Sequence, residues 1–541
     1  MKKLIFFISI VLFASSLNAH EAATYRVQGR KVRAVRGELL VRFREGVSEE
    51  RKNSAIASHR GRGARALGRT GIMRIEVPDH SLEQVMEALN RNHDVEYAGP
   101  NLIYSALKLP DIYPDIPSLE SSQWGLSNIQ APGAWDIETG DGSAVIAVID
   151  DGVYLSHPDL EGNVWQNPET ERTWEWGGYE VRYDTHGWNF VRDESNNFDG
   201  CNDPNPVNLE IETHGTHVAG IAAASGSLGS VGVSWGNRIM ALRVLSYTGD
   251  DANGDPIIEG SGDRIYAAIM YAADNGAHVI NMSFGQSIED PILEEVINYA
   301  YSRGCVLVAA SGNTGGSAIL YPAAYENVIA VGASDIEDNR AWFSSYGSGL
   351  DLMAPGVGIF STVTGDPPHG HFSGTSMAAP FVSGLASIMI SYQNDRGAAW
   401  TPEEIRRALV QQADALTGGG YPDRCFQTGY GRVNAFKTMS FISRGGFASE
   451  PIDPVVFPNP FNPHREYAMM KLSERNNSTL KEFRIYSLNG RLVRRQTDLS
   501  GDYAVWDGRN NSGDLCASGL YFFRLITFEG DNEAGKVTIL R

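Results

Sequence analysis

The stretch HFSGTSMAAP, His371 to Pro380, places a serine between a glycine turn and a run of small residues. Gly374 lets the backbone turn sharply, and Ser376 stands immediately before a predicted helix that starts at Met377. The alanines that follow let this helix pack closely against its neighbours. A serine here is either a helix cap or a nucleophile, and a nucleophile needs a base supplied from elsewhere in the chain.

Strands and helices alternate around this stretch, from residue 120 to residue 440. The predicted strands are short and apolar: Ala144–Ile149, Ile239–Leu245, His278–Met282, Val306–Ala310 and Val328–Val331. Predicted helices between them include Asp263–Asn275 and Pro291–Arg303. Continuous apolar strands with crossover helices predict an α/β fold with a doubly wound, mostly parallel sheet, whose site lies at the carboxyl ends of the strands.

Two further domains flank this region. A small α+β unit is predicted over residues 20–110, with three strands and two helices: Glu38–Phe43, Ile72–Val77 and Val95–Tyr104, then Glu49–His59 and Ser81–Asn90, the last capped by Ser81. Pro110, Pro114 and Pro117 mark a linker after it.

A second linker is predicted over residues 441–454, and alternating strands separated by turns predict an all-β sandwich over residues 455–541.

The first 19 residues are typical of a secretory signal peptide. Lys2 and Lys3 precede the apolar run Leu4–Phe13, and Leu17-Asn18-Ala19 is a candidate cleavage site. The alternative is an uncleaved membrane anchor, for which the apolar run is short. We therefore expect a secreted, extracellular protein with no membrane span after signal removal.

Charge is distributed unevenly along the chain. The formal net charge is −20, yet residues 21–105 contain 15 Lys and Arg against 11 Asp and Glu. A basic front unit and an acidic body indicate docking of one on the other, or simply a soluble surface. An acidic body does not favour nucleic-acid binding.

The four cysteines, Cys201, Cys305, Cys425 and Cys516, allow three complete pairings, and none has zinc-ligand spacing.

Three polar side chains at predicted element ends are candidate partners for Ser376. Asp150 follows a strand, His214 begins a helix of small residues in ETHGTHVAGIAAASG, and Asn313 ends the strand in GCVLVAASGN. Each also has a structural interpretation: a turn cap for the aspartate, a helix cap or core residue for the histidine, and a turn former for the asparagine. Zinc is disfavoured, because no glutamate follows His214 as H-E-x-x-H requires.

Together these residues predict acyl transfer. Asp150 would hold His214 in one tautomer, and His214 would take the proton of Ser376 as it attacks a carbonyl. Asn313 and the backbone N–H of Ser376 would bind the oxyanion.

Four motifs in order, AVIDDGV, HGTHVAG, AASGN and GTSMAAP, resemble those of the subtilisin-like serine proteases over about three hundred residues. The resemblance implies a serine endopeptidase acting on polypeptides, with Asp150, His214, Ser376 and Asn313 as its catalytic residues. Asp151 stands where the family usually has Ser or Thr.

The resemblance also implies substrate-binding segments. INMSFG looks like the wall of the pocket for the residue before the scissile bond, which would place Ser283, Phe284 and Gly285 along it, with Ala309–Ser311 opposite. Gly260, Ser261 and Gly262 look like the edge segment that pairs with an extended peptide; a glycine loop with a helix cap is the structural alternative.

The front unit resembles the family's inhibitory propeptide, so the protein's own propeptide is its expected intramolecular inhibitor, cut off between Tyr104 and Gln123.

Structural Ca²⁺ is expected by resemblance, with Asp159 and Gln123 as ligands, although the loop Ser225–Ser230 is short. The insertion Asp193–Asp203 is an alternative calcium site or a solvated loop.

The last domain resembles carboxy-terminal modules of secreted bacterial proteins through FPNPFNP, IYSLNGRLV, WDGRNNSG and SGLYFFRL. Such modules are sorting signals for type IX secretion, which implies a secretion machinery as partner, or Ig-like appendages. An alternative function is a catalytically inactive subtilase scaffold that serves in adhesion or binding. Another serine hydrolase is disfavoured by the absence of G-x-S-x-G.

Overall fold

The structure is a computed structural model that describes most of the chain. The described residues are 22–27, 29–67, 71–107, 123–176, 179–191, 203–416, 424–446, 455–457, 461–464, 467–472, 479–487, 491–497, 499, 501, 503–528 and 532–540. They divide into two compact units at Phe441–Ile442. The predicted signal peptide, the proline linker, most of the Asp193–Asp203 insertion and Cys201 lie outside the described residues.

The front of the first unit is an antiparallel sheet covered by two helices. Its elements are β1 (Ala22–Val27), β2 (Arg30–Phe43), α1 (Glu49–Ser58), β3 (Arg62–Leu67), β4 (Ile72–Glu76), α2 (Leu82–Asn90) and β5 (Val95–Ala106), with a 3₁₀ turn at Asp79–Ser81. The strands lie in the order β5-β2-β4-β3, with β1 beside β2. The predicted cap of α2 is wrong: the Ser81 hydroxyl donates to the Pro78 carbonyl at 2.9 Å and makes no capping bond.

The rest of the first unit is built around a seven-stranded sheet. Its helices are α3 (Trp124–Asn128), α4 (Ala131–Trp135), α5 (His214–Ala223), α6 (Gly262–Asp274), α7 (Pro291–Ser302), α8 (Thr375–Asn394), α9 (Pro402–Gln411) and α10 (Ala435–Ser443). Its strands are β6 (Val145–Asp150), β7 (Trp174–Trp176), β8 (Tyr179–Val181), β9 (Gly187–Asn189), β10 (Arg238–Arg243), β11 (Ser246–Asp250), β12 (Pro256–Ser261), β13 (Val279–Met282), β14 (Phe284–Gly285), β15 (Val306–Ala310), β16 (Ile329–Ser334), β17 (Leu352–Pro355), β18 (Ile359–Thr362) and β19 (His369–Phe372), with a 3₁₀ turn at Glu161–Asn163.

The large sheet confirms the predicted parallel architecture. Its order is β17-β16-β15-β13-β6-β10-β9, and every neighbouring pair is parallel. All six residues of β6 are buried, because helices cover both faces of such a sheet. The chain reaches β10 on one side of β6 and then β13 on the other, so the topological switch point falls at the end of β6, which is Asp150.

Helix α8 crosses the core of this unit. It is the one described helix that is long and apolar enough to span a membrane by length and composition, and its tested window is entirely buried inside the protein. Its packing against α5, β13, β15, β16 and β17 explains the small residues after Ser376. The apolar character of α8 is therefore that of a core helix.

The second unit is an antiparallel β-sandwich, as predicted. Its strands are β20 (Val455–Phe457), β21 (Ala468–Lys471), β22 (Leu480–Ser487), β23 (Leu492–Thr497), β24 (Tyr503–Trp506), β25 (Gly519–Thr527) and β26 (Asn532–Ile539). One sheet has the order β20-β21-β24 and the other β23-β22-β25-β26. Trp506 of the first sheet and Phe483 and Phe523 of the second belong to one buried cluster, which is the core of the sandwich.

Candidate active site

The site begins at the carboxyl end of β6, where Asp150 meets the start of α5. His214 is the first residue of that helix, and its Nδ1 lies 2.8 Å from Oδ1 of Asp150. Asp150 is fully buried and His214 is 2% exposed. A carboxylate on Nδ1 selects the tautomer in which Nε2 can accept a proton.

A second carboxylate holds this helix in place. Asp151 accepts the backbone N–H of His214 at 3.1 Å and that of Gly215 at 2.7 Å. Burial, together with the Asp150 carboxylate, raises the pKa of Asp151 to about 7, while His214 and the Gly215 amide oppose the rise. The site thus contains a titratable carboxyl beside the histidine.

Ser376 is the second residue of α8 and is buried. The preceding cap, Gly374, has φ of 153°, a region that favours glycine. Pro380 has no N–H to donate to the Ser376 carbonyl, which accepts the Ser283 hydroxyl at 3.0 Å instead. In return Ser376 Oγ donates to the Ser283 carbonyl at 2.8 Å.

Asn313 faces a peptide carbonyl. Its Nδ2 donates to the Leu107 carbonyl oxygen at 2.5 Å. Its Oδ1 accepts both the backbone N–H and the hydroxyl of Thr375 at 2.9 Å, which fixes the orientation of the amide. The Leu107 N–H donates to the Ser283 carbonyl at 3.2 Å, the same oxygen that accepts Ser376 Oγ. The Leu107 carbonyl therefore lies beside Ser376 and accepts a hydrogen bond from Asn313, a donor suited to an oxyanion.

The end of β5 lies between two strands of the catalytic body. Gly260 of β12 pairs with Tyr104, and Phe284 of β14 pairs with Ala106, both antiparallel. Further pairs are Ser261 with Ile103 and Gly285 with Ser105. Gly262 pairs with none of these residues, since it is the first residue of α6. The two predicted substrate segments thus hold an extended peptide through backbone hydrogen bonds on both sides.

The Leu107 side chain occupies a small apolar pocket and is 8% exposed. A methyl group added to Gly285 would lie 3.1 Å from Cδ1 of Leu107 and 3.1 Å from Cβ of Leu320. The Leu320 N–H donates to the Ser311 carbonyl at 2.9 Å, which brings Leu320 next to the predicted opposite wall. Sequence reasoning missed Leu320, because it lies in a loop without a motif.

Thr375 was also missed, although it lies inside the GTSMAAP motif. Its hydroxyl accepts the Gly312 N–H at 3.2 Å and donates to Asn313, so it joins the strand end to the start of α8. Its position next to the candidate nucleophile, Ser376, is the signal that could have identified Thr375.

Arginines of the front unit pair with carboxylates of the body. Arg74 lies 2.7 Å from Asp263, with side chains 12% and 3% exposed. Arg33 pairs with Glu259, and Arg42 pairs with Glu295 at a more exposed position. The basic front unit therefore docks on the acidic body through specific ion pairs.

The two predicted calcium ligands, Asp159 and Gln123, form hydrogen bonds with backbone groups of the short loop. Asp159 accepts three successive amides of residues 228–230 and, at 2.7 Å, the Nε2 of His369. Burial opposes ionisation of Asp159, but these hydrogen bonds hold its pKa below the usual range. Gln123 binds the backbone N–H and carbonyl of Val231 with its two amide atoms. The short loop presents N–H groups to Asp159, whereas calcium binds oxygens. Calcium binding by Asp159 and Gln123 stays a prediction.

A cluster of His157, Asp159 and His369 brings three potential ligand atoms within 4.8 Å of one another. Its own hydrogen bonds engage them: His157 Nδ1 accepts the Asp159 N–H at 3.1 Å, and its Nε2 lies 2.8 Å from the Pro368 carbonyl. With Asp159 already saturated, this cluster is a structural hydrogen-bond network.

Cys305 is buried, and its thiol donates to the Ala277 carbonyl at 3.1 Å. Cys425 is also a free thiol, and no disulfide joins Cys305 to Cys425.

A parallel sheet with an Asp–His pair at its switch point, and a helix-borne serine beside a bound peptide carbonyl, defines the class of serine hydrolases that act on peptides. A profile described as the Subtilase family matches residues 141–431, more than half of the chain. A second, described as the Fervidolysin N-terminal prodomain, matches residues 21–101.

The chain is 38% identical over 414 residues to a thermophilic serine proteinase of Bacillus sp. (strain AK1), covering 75% of this chain and 88% of that protein. It is 39% identical to thermitase of Thermoactinomyces vulgaris, covering 61% and 99% of the two chains. Against subtilisin Savinase of Lederbergia lenta the identity is 37%, with 55% and 93% covered. The chain belongs to the subtilase family and is a subtilisin-like serine endopeptidase with an N-terminal prodomain.

Proposed function

We propose that this chain is a secreted endopeptidase that cleaves peptide bonds through an acyl-enzyme on Ser376. His214 takes the serine proton while Oγ bonds to the carbonyl carbon, and Asp150 stabilises the imidazolium. The same proton then passes to the leaving amine as the C–N bond breaks. Water, deprotonated by His214, hydrolyses the ester and returns the serine.

The observation that supports this most strongly is the position of the Leu107 carbonyl. It accepts a hydrogen bond from Asn313, and the Leu107 N–H shares the Ser283 carbonyl with Ser376. A donor held rigid by Thr375 needs no reorganisation as negative charge develops on that oxygen. The catalytically inactive alternative receives no such support, because each of the four positions carries the side chain that the chemistry requires.

Casein and peptide hydrolysis by the purified wild type, Ser376→Ala and His214→Ala test the mechanism. We expect either substitution to lower kcat by about 10⁶-fold. Diisopropyl fluorophosphate should inactivate the wild type, and peptide mass mapping should place the adduct on Ser376. Undiminished hydrolysis by Ser376→Ala, or an adduct on another residue, would exclude the mechanism.

The prodomain is proposed to inhibit the enzyme by occupying this site, and the bond cut on maturation is Leu107–Lys108. The support is the register of the β5 tail, which puts the Leu107 carbonyl on Asn313 and its side chain against Gly285. This narrows the predicted window between Tyr104 and Gln123 to one bond.

A pair of precursor variants tests that bond. Leu107→Asp places a charge in an apolar pocket and should slow self-processing at least about 100-fold. Leu107→Met fills similar volume and should process at nearly the wild-type rate. Equal processing of both variants would show that another bond is cut.

The carboxy-terminal β-sandwich is proposed to be either a type IX sorting module that is removed on export or a passive Ig-like appendage. Its support is the four motifs together with its separate core. Appending residues 455–541 to a reporter tests this, because secretion of the reporter with loss of the module would favour sorting. Secretion with the module retained, or a reporter that stays inside the cell, would exclude a removable sorting module and favour the passive appendage.

A further inference from the structure

The fourth residue before the proposed scissile bond is Tyr104, and its side chain is fully buried in the body of the enzyme. The backbone register fixes this position, since Tyr104 pairs with Gly260 while Leu107 reaches Asn313. The Tyr104 ring meets the Phe284 ring edge-on, with centroids 6.1 Å apart and planes at 83°. The pocket around it therefore has an aromatic wall.

The floor of this pocket is a carboxylate. Tyr104 donates its hydroxyl to Oδ2 of Asp290 at 2.7 Å, across 186 positions of sequence. Asp290 is only 2% exposed, and Tyr266 donates its own hydroxyl to the same oxygen. In the described part of the chain no lysine or arginine forms an ion pair with Asp290, so its interactions here are with hydroxyl and amide groups.

The carboxylate is held in place before any peptide arrives. Its Oδ1 caps α7 by accepting the N–H groups of Ile292 and Leu293 at 3.1 and 3.4 Å. The Tyr325 hydroxyl accepts the Asp290 N–H at 3.0 Å and donates to its carbonyl at 2.7 Å. A rigid, buried acceptor loses a partner whenever the occupant of the pocket lacks a hydroxyl.

We propose that Asp290 makes this protease selective for a tyrosine as the fourth residue before the scissile bond. Phe284 recognises the ring and Asp290 recognises the hydroxyl, so the two together distinguish tyrosine from phenylalanine and from aliphatic residues. This assignment rests on the proposed function, because the count starts from the Leu107–Lys108 bond. Burial also raises the pKa of Asp290, in keeping with a carboxyl that lies apart from water and cations.

The test uses the mature wild-type enzyme and four peptide 4-nitroanilides of sequence X-Ser-Ala-Leu, where X is Tyr, Phe, Leu or Lys. We expect kcat/KM for the tyrosine peptide to exceed that for the phenylalanine peptide by roughly 10- to 100-fold. Asp290→Ser keeps a residue able to cap α7 but too short to reach the hydroxyl. In this variant the tyrosine-to-phenylalanine ratio should fall to about 1–3.

Equal cleavage of the tyrosine and phenylalanine peptides, a preference for lysine, or an unchanged ratio in Asp290→Ser would overturn the selectivity and leave the endopeptidase function intact. A wild-type enzyme that cleaves none of the four peptides and does not cleave casein would overturn the proposed function as well. The substrate series needs no enzyme variant, so the first comparison does not depend on the folding of Asp290→Ser.

Discussion

The catalytic centre and the contact between prodomain and cleft are built from different kinds of sequence. Asp150, His214, Asn313 and Ser376 each lie in a short motif at the end of a helix or strand. The prodomain contact joins isolated residues that are far apart, such as Arg74 and Asp263, which are 189 positions apart.

The difference shows where chemistry and affinity come from in this chain. The chemistry depends on local backbone geometry, which places a few polar side chains at the switch point of a parallel sheet. The affinity of the prodomain depends on buried ion pairs and on backbone pairing of the β5 tail, neither of which leaves a motif. Substitutions should therefore separate inhibition from catalysis.

Among the substitutions that compare these two regions, Arg74→Leu should have the largest effect. It leaves Asp263 buried without its ion-pair partner, which costs about 3–5 kcal/mol. Native mass spectrometry of the self-cleaved complex during dilution should show prodomain release at a concentration roughly 10²- to 5 × 10³-fold higher than in the wild type.

Arg42→Leu is the matched control, because Arg42 and Glu295 are about 31% and 30% exposed. A more exposed pair contributes about 1 kcal/mol or less, so release should shift by about fivefold or less. Equal shifts in the two variants would mean that burial does not set the affinity.

Asn313→Ala should affect the rate of catalysis. Loss of the oxyanion donor lowers kcat by about 10²–10³-fold, a range that comes from the corresponding substitution in a subtilisin. Thr375→Val removes only one of the two donors that orient the amide, so we expect a loss of about tenfold or less. Steady-state kinetics with one peptide would contradict the orienting function of Thr375 if Thr375→Val lowered kcat as much as Asn313→Ala.

Gly285→Ala should affect both regions, because Gly285 contacts the prodomain tail and is a predicted substrate-binding residue. The added methyl would press on Leu107 and Leu320 at 3.1 Å. We expect kcat/KM to fall about tenfold for a peptide with leucine before the scissile bond, and less for one with alanine. A uniform loss for both peptides would indicate a distorted site instead of a smaller pocket.

Asp151→Ser should give the smallest effect, a change in the pH dependence of stability. Burial, together with the Asp150 carboxylate, raises the pKa of Asp151 to about 7. The folded protein therefore keeps a proton that the unfolded chain has already released, and the free energy of unfolding falls as the pH rises from about 4 to about 7. Serine carries no ionisable group, so the midpoint of thermal unfolding should depend less on pH over this range in Asp151→Ser. A pH dependence as steep as that of the wild type would contradict this expectation.

Much of the fold could be predicted from the sequence, because buried parallel strands are continuous apolar runs. The exceptions have physical reasons. Strand β3, RGARAL, is exposed except for Leu67 and carries no alternation. Strands β12 and β14 contain glycines, and in the structure they pair with the β5 tail, which no local pattern reveals.

The candidate site could be predicted only in part. The sequence indicated Asp150, His214, Asn313 and Ser376 as candidates, since each lies at or near an end of a helix or strand. It could not indicate that the loop near Asp159 presents three successive backbone amides to the carboxylate. It also could not supply the register of β5, which brings Tyr104 to Asp290 and Leu107 to Asn313.

The prodomain tail is proposed to lie in the active site as the enzyme's own first substrate. Intact mass spectrometry of the secreted wild type and Ser376→Ala tests this proposal. We expect a wild-type mature chain that begins at Lys108, and a Ser376→Ala chain in which residues 107 and 108 remain joined. An active wild type that retains the residues before 108, or a Ser376→Ala chain cut by itself at the same bond, would contradict it.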